Sequence, residues 1–271
     1  MLFVPIKERK IAMKVLKSIL IVLFLVFTTT ATSNAKETLV FQFGAKGYEA
    51  TMDTHVTEYS GNSSNNMGGN IENECCEYDP ANKDGKSYLI YFNTSEVAKN
   101  AIISKAVLEM ALTSTRNGTN KKSVAAHQLL KQWKEGVGVG IDGVAAKKDE
   151  VCGQWTGADN ELWDAIGADS PDKDFVSKAS DTIEIAGDIG PYQWDITNMC
   201  RYWIQNPSKN FGAILLEPRP HAKTLGTKVF ASKENVNIEL HPKLTIEVSA
   251  YAIEVKETLA TTWGSVKIRQ R

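Results

Sequence analysis

Asp169, Asp172 and Asp174 set three carboxylates close together in a stretch without apolar periodicity. Oxygen-rich loops of this kind suit calcium, which takes roughly six to eight oxygen ligands. The spacing lacks the Asp-x-Asp-x-Asp-Gly frame and late glutamate of an EF-hand, and clustered aspartates also occur as a plain solvated face. Calcium-dependent melting separates the two readings. A second group is cationic: Arg219, His221, Lys223, Lys228 and Lys233 gather in one late segment. Their chemistry is pairing with the carboxylates of an acidic polymer, against the bland reading of a solvated charged face. Trp163, within Asn160 to Asp164, has the most exposed context of the six tryptophans and is the candidate for stacking on a sugar ring, against the bland reading of a core or loop anchor. Charge reversal at Lys223 and Lys228 tests the cationic reading.

Catalytic signals are weak by comparison. No Gly-x-Ser-x-Gly elbow and no His-Glu-x-x-His pattern occurs. The histidines His55, His127, His221 and His241 are scattered, and His55 and His127 fall on strand positions that imply packing. Glycosidases need two carboxylates at a set separation, and acidic residues are too abundant here to single out a pair. Gly138, Gly140 and Gly143 fit Gly-x-Gly-x-x-Gly, but a long polar loop follows where a dinucleotide site needs a helix.

The compartment narrows the field. Lys14 and Lys17, the apolar run 19–27 and the small-x-small triplet Ser33, Asn34, Ala35 form a secretory signal over residues 1–35. Met13 opens that pattern better than Met1, and the mature chain is expected to begin near Lys36. Taking the five basic residues and one acidic residue of the leader from totals of 31 and 32 leaves 26 against 31, a net charge of −5. Such a balance disfavours nucleic acid, whose binding relies on many Lys and Arg contacts to phosphate. The apolar run is shorter than the roughly 20 residues that span a bilayer, and no second apolar segment follows it. The expectation is an extracellular protein without a membrane span in its mature part.

Export permits disulfides among Cys75, Cys76, Cys152 and Cys200, and sequence does not choose among the three pairings. Cys75 and Cys76 do not bridge each other easily, because adjacency strains the ring. No Cys-x-x-Cys pair or nearby histidine supports zinc. A structural bridge, or buried thiols, is the expectation.

The elements that must position these groups are strands. Alternating apolar residues predict strands over 38–43, 49–57, 87–92, 102–113, 123–132, 182–186, 192–194, 211–217, 228–232 and 243–250. Along the fourth, Ala106, Leu108, Met110 and Leu112 point one way and Lys105 and Glu109 the other. Ile196, Met199, Cys200, Trp203 and Ile204 instead follow helical spacing, which predicts one short helix near 196–205. Asp195 or Thr197 caps its start, and Asn206 and Pro207 end it. Many short strands with one helix give an all-β sandwich or jelly roll as a single domain over 36–253. Residues 60–86 and 136–176 read as loops, long enough to imply function. Residues 254–271 read as a tail, either disordered or a surface-sorting signal.

Several of these pieces resemble one family in order. Phe41 to Val56 runs strand, then Gly44, Gly47 and Tyr48 as a turn, then Thr51, Asp53 and Thr54 opening a second strand. This is similar to the first hairpin of the DNRLRE-type domain, the disaggregatase-related or alginate-binding carbohydrate module. Lys86 to Ser95 resembles that family's strand Ala-Leu-Leu-Arg-Phe-Asp-Leu-Ser, and Ile102 to Leu112 its Ile-x-x-Ala-x-Leu-x-Leu. Gln132 to Gly136 matches its Trp-x-Glu-Gly corner, and Gln193 to Thr197 with Trp203 its Phe-Asp-Val-Thr helix. Phe211 to Leu216 and His241 to Ile246 match its closing strands. Residues 137–176 are longer than in simple members, and the Cys75–Cys76 loop is outside the general pattern. Trp133 and Trp155 fall at family corners and are expected to pack, like Trp194 and Trp203 at core-periodic positions. The resemblance implies a secreted, non-catalytic module that binds polysaccharide, with an acidic glycan as one option. No cofactor is expected beyond structural calcium at Asp169, Asp172 and Asp174. A structural or adhesive surface protein is the alternative, and a polysaccharide-cleaving disaggregatase-like enzyme the third.

Overall fold

A computed structural model describes residues 36–76, 85–140, 142–218 and 226–251. The signal, the tail 254–271, and Arg219, His221 and Lys223 lie outside the described residues. The described strands are β1 (Glu37–Gln42), β2 (Thr51–Thr57), β3 (Asn65–Asn66), β4 (Glu72–Cys75), β5 (Lys86–Phe92), β6 (Ala101–Arg116) and β7 (Lys122–Gln128). They continue with β8 (Val144–Ala145), β9 (Asp181–Ile185), β10 (Gly190–Asp195), β11 (Ala213–Leu216), β12 (Thr227–Ala231) and β13 (Lys243–Tyr251), and α1 spans Thr197–Gln205. One sheet runs β1-β13-β6-β12-β4 with β10 also on β6; the other runs β2-β5-β11-β7-β9; β3 and β8 form a small pair. The protein is an all-β sandwich with one short helix. No helix among the described residues is long and apolar enough to cross a membrane.

The core between the sheets comes from the alternation read in the sequence. Ala106, Leu108, Met110 and Leu112 of β6 are buried, as are Tyr88 and Ile90 of β5 and Leu244 and Ile246 of β13. Phe230 meets Tyr88 and Trp194 edge to face at centroid distances of 6.3 and 6.1 Å, and the Trp194 indole N–H donates to Val124 O at 2.9 Å. The helix forms where its spacing predicted, with Met199, Cys200, Trp203 and Ile204 on the core face. The Asp195 carboxylate accepts from Thr197 N at 2.9 Å, satisfying one donor left open at the helix start.

Three features depart from the sequence reading. The turn at Gly44 to Tyr48 is a corner between sheets rather than a hairpin. β1 pairs with β13 and β2 with β5, and the left-handed φ of Gly44 and Gly47 (79° each) lets the chain cross from one layer to the other. Residues 60–86, read as loop, contain β4, an edge strand paired with β12. Its Glu72, Asn73 and Glu74 carry no apolar alternation, so periodicity could not find it. Residues 136–176 do not hang free: Val151, Trp163, Ala168 and Phe175 pack with Trp133 on Val56, Leu89, Ile214 and Leu216, the outer face of the second sheet. That sheet is therefore buried on both sides, which is why β5 and β11 read as nearly continuous apolar runs.

Candidate functional site

The long covering segment is organised by one buried carboxylate. Asp174 is fully buried. Its Oδ1 accepts from Asp164 N at 2.8 Å, and its Oδ2 from Ala165 N and Ser170 N at 3.1 Å each. Lys131 supplies the counter-charge, its Nζ 3.4 Å from Asp174 Oδ1 and 2.7 Å from Asp164 Oδ2. Asp172 turns to the surface with φ 61° and accepts from Ser177 N at 2.9 Å. That hydrogen bond holds its carboxyl below the usual range. Asp169 is half-buried. The three aspartates named for calcium are thus not brought together as one ligand set, and Asp174 turns its oxygens toward backbone N–H groups instead.

The two tryptophans of this segment have exchanged roles relative to the sequence reading. Trp163, expected to be exposed, is only 5% exposed and its indole N–H donates to Cys152 O at 2.9 Å. Trp155, expected to be packed, is half-buried. Its indole N–H is fixed by Glu150 O at 2.9 Å, and residues 155 and 162 face each other as an isolated antiparallel bridge. Trp155 and Leu162, the latter 63% exposed, line a recess of about 380 Å³ rimmed by Ala146, Lys148 and Asn160. That volume lies at the small end of the range for ligand clefts, about 300–1,000 Å³. The arrangement offers an apolar floor, one side-chain amide and one ammonium group. The signal for Trp155 was present as a tryptophan in a polar segment. Which indole turned outward depended on the outer-sheet packing.

The described basic candidates are not free surface groups. Lys228 lies fully buried on β12, and its ammonium donates to Asn120 O at 2.8 Å and to Ala186 O. Lys233 is tied to Glu135 at 3.0 Å and to Glu234, and stands 5.3 Å over the Phe43 ring. Both were expected to bind glycan from the surface; in this structure their ammonium groups are engaged by internal partners instead.

Lys233 marks a polar seam that sequence reasoning missed. Asp53, Glu135 and Glu234 bring carboxylate oxygens within 4.8 Å of one another. Asp53 is fully buried, accepts from Lys233 N at 2.8 Å and from Asn73 Nδ2 at 3.3 Å, and its own N–H donates to Glu135 at 2.5 Å. Burial, reinforced by the charges of Glu234 and Glu135, pushes the Asp53 carboxyl well up. Burial lifts Glu135 to about 7 against the pull of Lys233. On the other side of Asn73, its Oδ1 holds His55 Nδ1 at 2.9 Å, and burial drives that imidazole down to about 4. The trio is the described group able to hold a cation, and Lys233 already supplies a neutralising charge. The sequence placed Asp53 within the predicted strand 49–57, where the structure sets it opposite Ile90. It could not show that Glu135 and Glu234 meet it.

No protein-family model matches the chain, and no curated protein sequence matches it either.

Proposed function

We propose that the protein is a secreted, non-catalytic module that binds polysaccharide at the Trp155 recess, with preference for a uronate-bearing polymer. The observation that carries this reading is the half-buried Trp155 lining a recess beside exposed Leu162, with Asn160 and Lys148 at the rim. The apolar face of a pyranose suits the indole, ring hydroxyls suit the Asn160 amide, and a uronate carboxylate suits the Lys148 ammonium. The ordered resemblance of the strands to the alginate-binding module points the same way.

A glycan array followed by titration of uronate and neutral polymers tests the reading. Trp155→Ala is expected to weaken binding about 10- to 30-fold, the range for an aromatic anchor of about 2 kcal/mol. Lys148→Gln is expected to weaken it only about twofold, an effect that disappears at high salt, because exposed ion pairs contribute about 0–1 kcal/mol. Leu162→Asp leaves the core untouched and places a repelling charge in the recess, so it should lower uronate binding selectively. Absence of binding to every glycan, with the fold intact, favours the structural or adhesive alternative. Product release from the polymer would establish an enzyme.

A further inference from the structure

We propose that Cys75 and Cys76 close a vicinal disulfide when the chain meets a disulfide oxidant. Neighbouring residues of an extended strand point to opposite faces, which keeps adjacent sulfurs apart. Here the strand ends at Cys75, and Cys76 adopts φ 64°, the left-handed region that residues with a Cβ seldom enter. The turn brings the two side chains to one side, with the sulfurs 2.7 Å apart. That is closer than two unbonded sulfurs normally pack, and a small movement from a bond of about 2.04 Å. Cys76 N donates to Lys86 O at 2.9 Å and Cys75 Sγ to Leu215 O at 3.3 Å, so backbone contacts on both sides hold the turn in place. Adjacency argued against such a bridge in the sequence; the left-handed turn at Cys76 brings the two sulfurs within reach of it.

The 2.7 Å separation is the sulfur–sulfur contact found among the four buried thiols. Cys152 is buried in the segment over the outer face of the second sheet, where its carbonyl accepts from Trp163. Cys200 is buried on α1 in the core between the sheets. Cys75 and Cys76 are buried too, so exchange belongs to folding, before the core closes around them. One cysteine thiolate attacks the oxidant's disulfide and releases one thiolate. The neighbouring thiolate then attacks the mixed disulfide and releases the second. The two protons end on the released thiols, so the cysteine pair is oxidised by two electrons and the oxidant reduced by two.

The test is to refold the full chain with oxidised glutathione at mildly alkaline pH, alkylate it in denaturant without reductant, and map the peptides by mass. The expected result is one peptide holding both Cys75 and Cys76, two hydrogens lighter and unalkylated, with Cys152 and Cys200 alkylated. The double variant Cys152→Ser, Cys200→Ser should oxidise in the same way, and Cys76→Ser should leave Cys75 alkylated. Four alkylated thiols overturn the proposal. So does any bridge that includes Cys152 or Cys200, or a glutathione adduct retained on Cys75 or Cys76.

Discussion

Asp174→Ala is expected to lower the unfolding free energy by about 3–5 kcal/mol in a urea titration, the scale for removing one partner from a buried ion pair. The carboxylate gathers three backbone N–H groups and faces Lys131 from full burial. Alanine leaves those donors without acceptors inside the segment that covers the second sheet. Asp164 still holds Lys131 at 2.7 Å, so the cation is not orphaned and the lower end of the range is expected. Asp174→Asn retains one acceptor oxygen and should lose less. Because Trp163 and Phe175 pack in the same segment, the loss should begin there. Glycan binding at Trp155 should then fall before the sandwich unfolds, seen as a binding midpoint at lower urea than the far-ultraviolet transition. Coincident midpoints would show that the segment and the sandwich form one cooperative unit.

The second large effect is a pH dependence centred on Glu135. Its carboxyl is raised from 4.5 to about 7 in the fold, chiefly by burial, with Lys233 opposing and Glu234 reinforcing. The folded chain therefore binds more protons than the unfolded chain between those values. The stability contributed by protonated Glu135 is fully present below 4.5 and is lost as pH rises through about 7. At about 1.4 kcal/mol per pH unit, the swing is about 3 kcal/mol. Asp53, also raised, acts in the same direction. His55 acts in the opposite one: lowered from 6.5 to about 4, it contributes stability above 6.5 that is lost as pH falls toward 4. The two slopes oppose each other between 4.5 and 6.5, and above that window the acid seam acts against the fold alone. Chemical denaturation across pH 5 to 8 should show Glu135→Gln gaining on the wild type as pH rises. His55→Gln should lose its disadvantage at the acid end. Parallel curves for wild type and Glu135→Gln would mean that Lys233 keeps the carboxylate ionised throughout.

Some features of the fold were legible in the residue pattern and others were not, for physical reasons. The sandwich and its helix were, because period-two runs such as Ala106 to Leu112 and the helical spacing of Met199, Cys200, Trp203 and Ile204 are local records of burial. β4 was not, since Asn73 and Glu74 are held by polar partners and not by apolar packing. Glu74, for example, is paired with Lys86 at 2.5 Å and with Arg116. The candidate site was legible in its residue types but not in its assignments. An aromatic in the covering segment, a loop-organising aspartate and a late lysine were all singled out. Trp163, Asp174, Lys228 and Lys233 nevertheless proved internal.

The sequence by itself determined the period of each element and the two faces that had to be buried, because side-chain direction repeats along the chain. Only the tertiary structure decided which sheet the corner at Gly44 leads into, that residues 136–176 cover the second sheet, and that Trp155 takes the surface while Trp163 does not. It also brought Asp53, Glu135 and Glu234 together and turned Cys76 toward Cys75. Those outcomes depend on contacts between residues far apart in the chain, and on the desolvation and backbone conformation such contacts impose. No local pattern of residue types encodes them.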